Sequence, residues 1–171
     1  MNVRILVVAL LLLCGAATAQ QPQKKEIPVL HPVSNQQVVQ SVYPTAVKVE
    51  KVNEYWYKVL DAQNVVLGYA MNSTDYCKDV KGYHDNTPVM IITDNDFIIK
   101  KVAILTHYET LSYVKRLEKN GFFRCWVGKP VKQAKSATMD GYTGASVTAT
   151  SIKKNVDFLL KNGAKKLPKK G

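Results

Sequence analysis

The chain has 171 residues, 46% of them hydrophobic, and carries 24 Lys and Arg against 13 Asp and Glu, a net charge of +11 at pH 7. That length suits one domain behind a targeting segment, buries a sizeable core and leaves little room for a second domain. The lysines are spread along the chain in pairs with no nucleic-acid-binding motif beside them, which argues against a nucleic-acid partner and for a solvated basic face open to anions.

Residues 1–19 read as a signal peptide, with Arg4 as the charge, residues 5–13 as the apolar region and Ala17-Thr18-Ala19 as the cleavage site. The uncharged run 5–19 is shorter than the roughly 20 residues of a spanning helix. Cleavage after Ala19 is therefore expected, with an uncleaved membrane anchor as the alternative. A lipid anchor at Cys14 is disfavoured because Leu13 stands where such signals carry a small residue. No later segment is apolar enough to cross a membrane, so the mature chain is expected to be exported, or periplasmic, without a transmembrane helix. Removing residues 1–19 lowers the charge to +10 and leaves Cys77 and Cys125. In an exported chain these either form one disulfide or stay as two buried thiols. No CxxC or CxxCH occurs, against thioredoxin-like chemistry and c-type haem.

Residues 20–41 form a lead-in. Pro22, Pro28 and Pro32 make an extended tether, and Ser34 with Gln37 makes a capping box for a short helix carrying Val38, Val39 and Val42, which stops before Pro44. Residues 55–60 and 65–70 read as a hairpin about a turn at 61–64. Residues 77–88 have turn chemistry throughout, and residues 89–93 and 97–105 form a second hairpin about Asp94-Asn95-Asp96. Leu111, Val114 and Leu117 then make an apolar stripe ending at Asn120-Gly121, a C-cap signal, with Glu109-Thr110 as the N-terminal cap. Residues 122–127 read as a short aromatic strand and 128–139 as a polar connection. Ala149, Ile152, Val156 and Leu159 recur on one face of a last helix ended by Asn162-Gly163, and 163–171 is a basic tail that frays. The sum is an α+β fold: a single domain over residues 42–162, an antiparallel sheet of hairpins packed with about three helices.

The chemistry concentrates in residues 140–151, DGYTGASVTATS. Gly144 permits positive φ and close backbone approach, successive amides in such a turn can form an anion nest, and the helix that follows adds its positive end. Ser146 would then reach the phosphorus of a bound phosphate, with Thr148, Thr150 and Ser151 in the helix's first turn. Thr-Gly-Ala-Ser is equally what an ordinary turn plus N-cap looks like.

The spacing Asp140-x-x-Thr143-Gly144-Ala145-Ser146 resembles the flavinylation motif Asp-x-x-(Ser/Thr)-Gly-Ala-(Thr/Ser) of the FMN-binding domain family, which includes the NqrC and RnfG subunits of ion-pumping respiratory complexes. The resemblance runs over residues 42–160. It implies covalent FMN on Ser146 through a phosphoester, attached by a separate flavin transferase using FAD, with Asp140 orienting the loop or read by that enzyme. Ser146 stands where the family more often has Thr; both offer a hydroxyl. Gly82, Tyr83 and His84 match the family's Gly-aromatic loop beside the flavin. Glu109 and Thr110 match its Glu-Thr-Pro-Gly segment, with Leu111 and Ser112 replacing Pro and Gly, and Tyr113 falls where the family sets an apolar residue against the flavin ring, a place from which an aromatic could stack on it. NqrC and RnfG keep a membrane helix, which this chain departs from. The function implied is an electron carrier serving membrane or periplasmic redox partners, with no catalytic residue of its own and no metal. The alternatives are a flavin-free exported binding module with a basic surface, in which Ser146 only caps a helix, and a flavin-dependent reductase of a small molecule.

Overall fold

Strand pairing organises the computed structural model, which describes residues 26–134 and 147–169. Five strands, β1 (Lys48–Lys51), β2 (Trp56–Leu60), β3 (Val66–Asn72), β4 (Val89–Thr93) and β5 (Ile99–Ile104), lie side by side in chain order, each antiparallel to the next. Both expected hairpins are present. Each turn is clasped by its leading aspartate: Asp61 Oδ1 accepts from the Gln63 and Val65 amides at 2.9 and 2.8 Å, and Asp94 Oδ1 from those of Asp96 and Ile98 at 3.0 and 2.9 Å. The second turn closes through Phe97 at φ 61°, a conformation costly for a bulky residue. Its ring is nevertheless buried against Trp56 and Tyr69, centroids 5.4 and 5.0 Å away, and that burial offsets the strain.

The strand β1 has no counterpart in the sequence reading. All four of its residues are exposed, so it carries no alternation to detect. Pairing with β2 holds it, and its lysines blunt the free edge.

Alternation within β2, β3 and β4 divides the core in two. Trp56, Tyr69, Met71, Val89 and Ile91 face the larger core, against α2 (Leu111–Lys119), α3 (Val131–Ala134) and α4 (Val147–Gly163). Val59, Ala70, Met90 and Ile92 face the smaller one, covered by Val38 and Val39 of α1 (Asn35–Gln40). Ser34 caps α1 through the Gln37 amide as expected, but the helix ends before Val42. The four apolar positions read for the last helix, Ala149, Ile152, Val156 and Leu159, are all buried.

Four expectations are corrected. Residues 122–127 are not a strand but contain a 3-10 helix, Phe122–Cys125, entered through Gly121 at φ 81°. Phe122, Phe123 and Trp126 are buried together, and an i, i+1, i+4 spacing is that of a helical turn, not of alternation. The polar connection after Gly128 includes α3, which buries Val131 and Ala134 one turn apart. The lead-in is no free tether over its described part: His31 exchanges backbone bonds of 2.7 and 3.2 Å with His107, and the Val33 amide donates to Thr106 Oγ1 at 3.0 Å. The tail docks instead of fraying as far as Lys166, whose carbonyl accepts from Asn53 Nδ2 at 2.8 Å and whose ammonium pairs with Glu54. Among the described residues no helix is long and apolar enough to cross a membrane.

Candidate functional site

One carboxylate draws together three segments far apart in sequence. Glu109, between β5 and α2, is completely buried. Its Oε1 accepts from the amides of His84 at 2.9 Å and Asp85 at 3.2 Å, and its Oε2 from the Tyr83 amide at 3.0 Å and from the Thr148 hydroxyl in the first turn of α4. Three successive amides converging on one anion form a nest, and here the anion is the protein's own. Burial pushes the Glu109 carboxyl up, but the bonds from Thr148 and then from the His84, Tyr83 and Asp85 amides outweigh it and hold the group below the ordinary glutamate range.

The approach is close enough to require a glycine before the nest. A Cβ on Gly82 would lie 2.6 Å from Glu109 Oε1 and 2.8 Å from Thr87 Cγ2, inside van der Waals contact. Behind Glu109, its own amide donates to His107 Nδ1 at 3.1 Å. His107 is buried, with its ring centroid 5.2 Å from that of His31 in the docked lead-in. Burial first, then His31, depress the His107 pKa, partly countered by Glu109.

This clasp forms one end of an open cavity of about 570 Å³, within the range of small-molecule and cofactor sites. Tyr83 lines one side, Thr110, Ser112, Tyr113 and Arg116 of the α2 segment another, and Val147 and Thr148 the mouth of α4. Of the site residues read from the sequence, the fold brings Tyr83, Thr110, Tyr113 and Thr148 to this cavity. Glu109 lies directly behind it, and His84 packs its ring on Tyr83 with centroids 4.7 Å apart. Asp140, Thr143, Gly144, Ala145 and Ser146 lie outside the described residues, and Thr150 is exposed in the first turn of α4.

Two assignments take a different form. Thr110 is the N-cap residue of α2, but its side chain makes no capping bond; its hydroxyl donates instead to Glu26 Oε2 at 3.0 Å. Ser151 does not reach for an anion: it sits 2.7 Å from the Thr87 hydroxyl and donates to the Val80 carbonyl at 3.1 Å. With Asn155, which accepts from Ser73 at 2.8 Å, it forms a buried polar seam tying α4 to the loop after β3. Cys77 and Cys125 are free thiols, so the optional disulfide does not form. Burial raises both thiol pKa values, that of Cys125 to about 11. Among the described residues no group of His, Cys, Asp and Glu is arranged to hold a metal.

Sequence reasoning missed Arg116 and the Glu109–Thr148 bond. The first had a signal, since Arg116 follows Tyr113 at i+3 and shares its helix face. The second had none, because the partners are 39 residues apart. A separate cleft of about 370 Å³ lies over the smaller core, between α1, β1 and the floor formed by Tyr57, Ala70 and Met90. It contains none of the predicted residues.

The residues around the Glu109 cavity fit a flavin. Two tyrosines line the cavity, a residue type that stacks on planar rings, an arginine and the N-terminus of the 17-residue α4 offer positive charge to a phosphate, and the volume suffices. No curated protein is similar enough to match the chain. Residues 82–161, the segment that runs from the glycine beside Glu109 into the last turn of α4, match the model of the FMN-binding domain family.

Proposed function

We propose that the chain is an exported flavoprotein that carries FMN through a phosphoester on Ser146 and passes electrons between membrane or periplasmic partners outside the cytoplasm, in the manner of NqrC and RnfG. The observation that carries the reading is the composition of the Glu109 cavity. Val147 and Thr148, the two residues following Ser146 in the chain, line the same hollow as Tyr83 and Tyr113, inside the segment matched to the FMN-binding domain. Bound there, the flavin supplies the redox chemistry, while the protein supplies position, electrostatics and access.

Attachment is the work of a separate flavin transferase with FAD as donor, as the family resemblance implies. The Ser146 oxygen displaces adenosine monophosphate from FAD, giving up its proton as the new P–O bond replaces the one to the leaving phosphate. Holding the cofactor by its phosphate leaves the ring unmodified and prevents its loss after export. Asp140 serves the loop or the transferase, and the cut after Ala19 releases the mature form.

The test is coexpression of the full chain with a flavin transferase, followed by denaturing electrophoresis viewed for flavin fluorescence. A fluorescent band lost in Ser146→Ala supports the reading. A wild-type band with no fluorescence, and no flavin mass on the peptide containing Ser146, would overturn it.

A further inference from the structure

Among the described residues that line the Glu109 cavity, Arg116 alone carries a formal charge, exposed on α2. Its guanidinium carbon stands 4.9 Å from the centroid of the Tyr113 ring one turn earlier, a cation–π contact that holds the head group beside that tyrosine at the cavity wall. None of the ion pairs among the described residues involves Arg116. The carboxylates bonded to the cavity's residues are engaged elsewhere, Glu109 with Tyr83, His84, Asp85 and Thr148 and Glu26 with Thr110, and neither forms an ion pair with Arg116. The mouth of α4 adds positive potential on the same hollow. A cavity with two tyrosines, an arginine without an ion pair among the described residues and a helix N-terminus suits an aromatic ligand bearing negative charge.

We infer that Arg116 is the ionic partner of an anionic group of the bound flavin, either its phosphate or the ring edge that takes on charge when the flavin is reduced. This rests on the flavin reading above. Arginine suits either source, because its planar fork pairs with phosphate oxygens and with a carbonyl–nitrogen edge alike.

Arg116→Gln removes the charge and Arg116→Lys keeps it. The side chain is exposed, and thermal melts establish that both variants fold. In a Ser146→Ala background, fluorescence titration with FMN and with riboflavin reads the phosphate arm. In protein loaded by a transferase, the midpoint potential reads the ring arm. If the phosphate is the partner, Arg116→Gln weakens FMN roughly five- to tenfold and leaves riboflavin unchanged. If the ring edge is the partner, the same factor favours the oxidised form and the two-electron potential falls by about 20–30 mV. Arg116→Lys retains most of either effect, and added salt diminishes both. Arg116→Gln that matches wild type in FMN affinity and in potential would overturn the assignment while leaving the flavin reading intact. Wild type that takes up no flavin in either arm would overturn the flavin reading, and this inference with it.

Discussion

Replacing Glu109 with glutamine tests whether the clasp is held by charge or only by shape. The substitution keeps the volume but turns one carboxylate oxygen into an NH2 group. If the nitrogen takes the Oε1 position, it faces the amides of His84 and Asp85, at 2.9 and 3.2 Å, and two buried donors lose their acceptor. If it takes the Oε2 position, it faces the Tyr83 amide, at 3.0 Å, and the Thr148 hydroxyl, which can rotate to accept. The second arrangement strands one amide and is preferred. A buried unsatisfied donor costs about 1–3 kcal/mol, and the lost charge weakens the remaining bonds, so the expected destabilisation is about 2–4 kcal/mol. For a domain of this size that lowers Tm by roughly 10 °C. The sign of the pH dependence is also fixed. The folded Glu109 carboxyl titrates below its ordinary value, so its contribution is complete above about pH 4.5 and is lost as pH falls through the folded pKa. Urea unfolding of wild type and Glu109→Gln from pH 7 down to pH 3 should therefore show a gap that is constant near neutrality and narrows in acid. A gap below about 0.5 kcal/mol at pH 7, within the range of ordinary surface substitutions, or one that does not narrow in acid, would refute the charge argument.

Three further outcomes are expected. Gly82→Ala forces a Cβ to within 2.6 Å of Glu109 Oε1 and should cost about 1–3 kcal/mol by overpacking; in a double-mutant cycle with Glu109→Ala the costs should fall short of additive, as measured by urea unfolding. The depressed pKa of His107 means that the unfolded chain takes up its proton first, so stability contributed by the neutral ring is complete above about pH 6.5 and declines as pH falls toward the folded pKa. His107→Asn, which retains an acceptor for the Glu109 amide, should flatten that slope. Finally, the raised thiol pKa values of Cys77 and Cys125, the latter about 11, predict that native protein at pH 8 is alkylated by iodoacetamide much more slowly than urea-unfolded protein, followed by mass spectrometry.

Local signals carried most of the fold. The two hairpins were legible because Asp61 and Asp94 each head a turn between apolar runs, and α4 because its buried positions repeat at helical spacing. The features that escaped lacked a local signal or had a misleading one. Exposed on all sides, β1 exists only through its ladder to β2. Residues 122–127 are rich in the aromatic residues that favour strands, and only the i, i+1, i+4 placement of Phe122, Phe123 and Trp126, meaningful once a core exists to bury them, selects the helical turn. Part of the lead-in reads as a polar, proline-bearing tether, yet it docks because His31 finds an open backbone edge at His107, 76 residues on.

The candidate site divides along the same line. Tyr83, His84, Glu109, Thr110 and Tyr113 were marked through a family pattern and Thr148 through its place in the first turn of the last helix; Tyr83, Thr110, Tyr113 and Thr148 line one cavity. Glu109 differs in kind. A carboxylate already saturated by three amides and a hydroxyl has no acceptor capacity to spare for a ligand donor in the same plane, and its negative charge would repel a phosphate placed against it. Its position instead fixes the distance between the loop at residues 82–85 and the first turn of α4, which are two of the cavity's walls. Glu109 Oε2 holds the Tyr83 amide and the Thr148 hydroxyl together at one end of the hollow, which makes the clasp a condition of the cavity's shape. A Glu109 variant that still folds should lose cavity geometry before it loses the sheet.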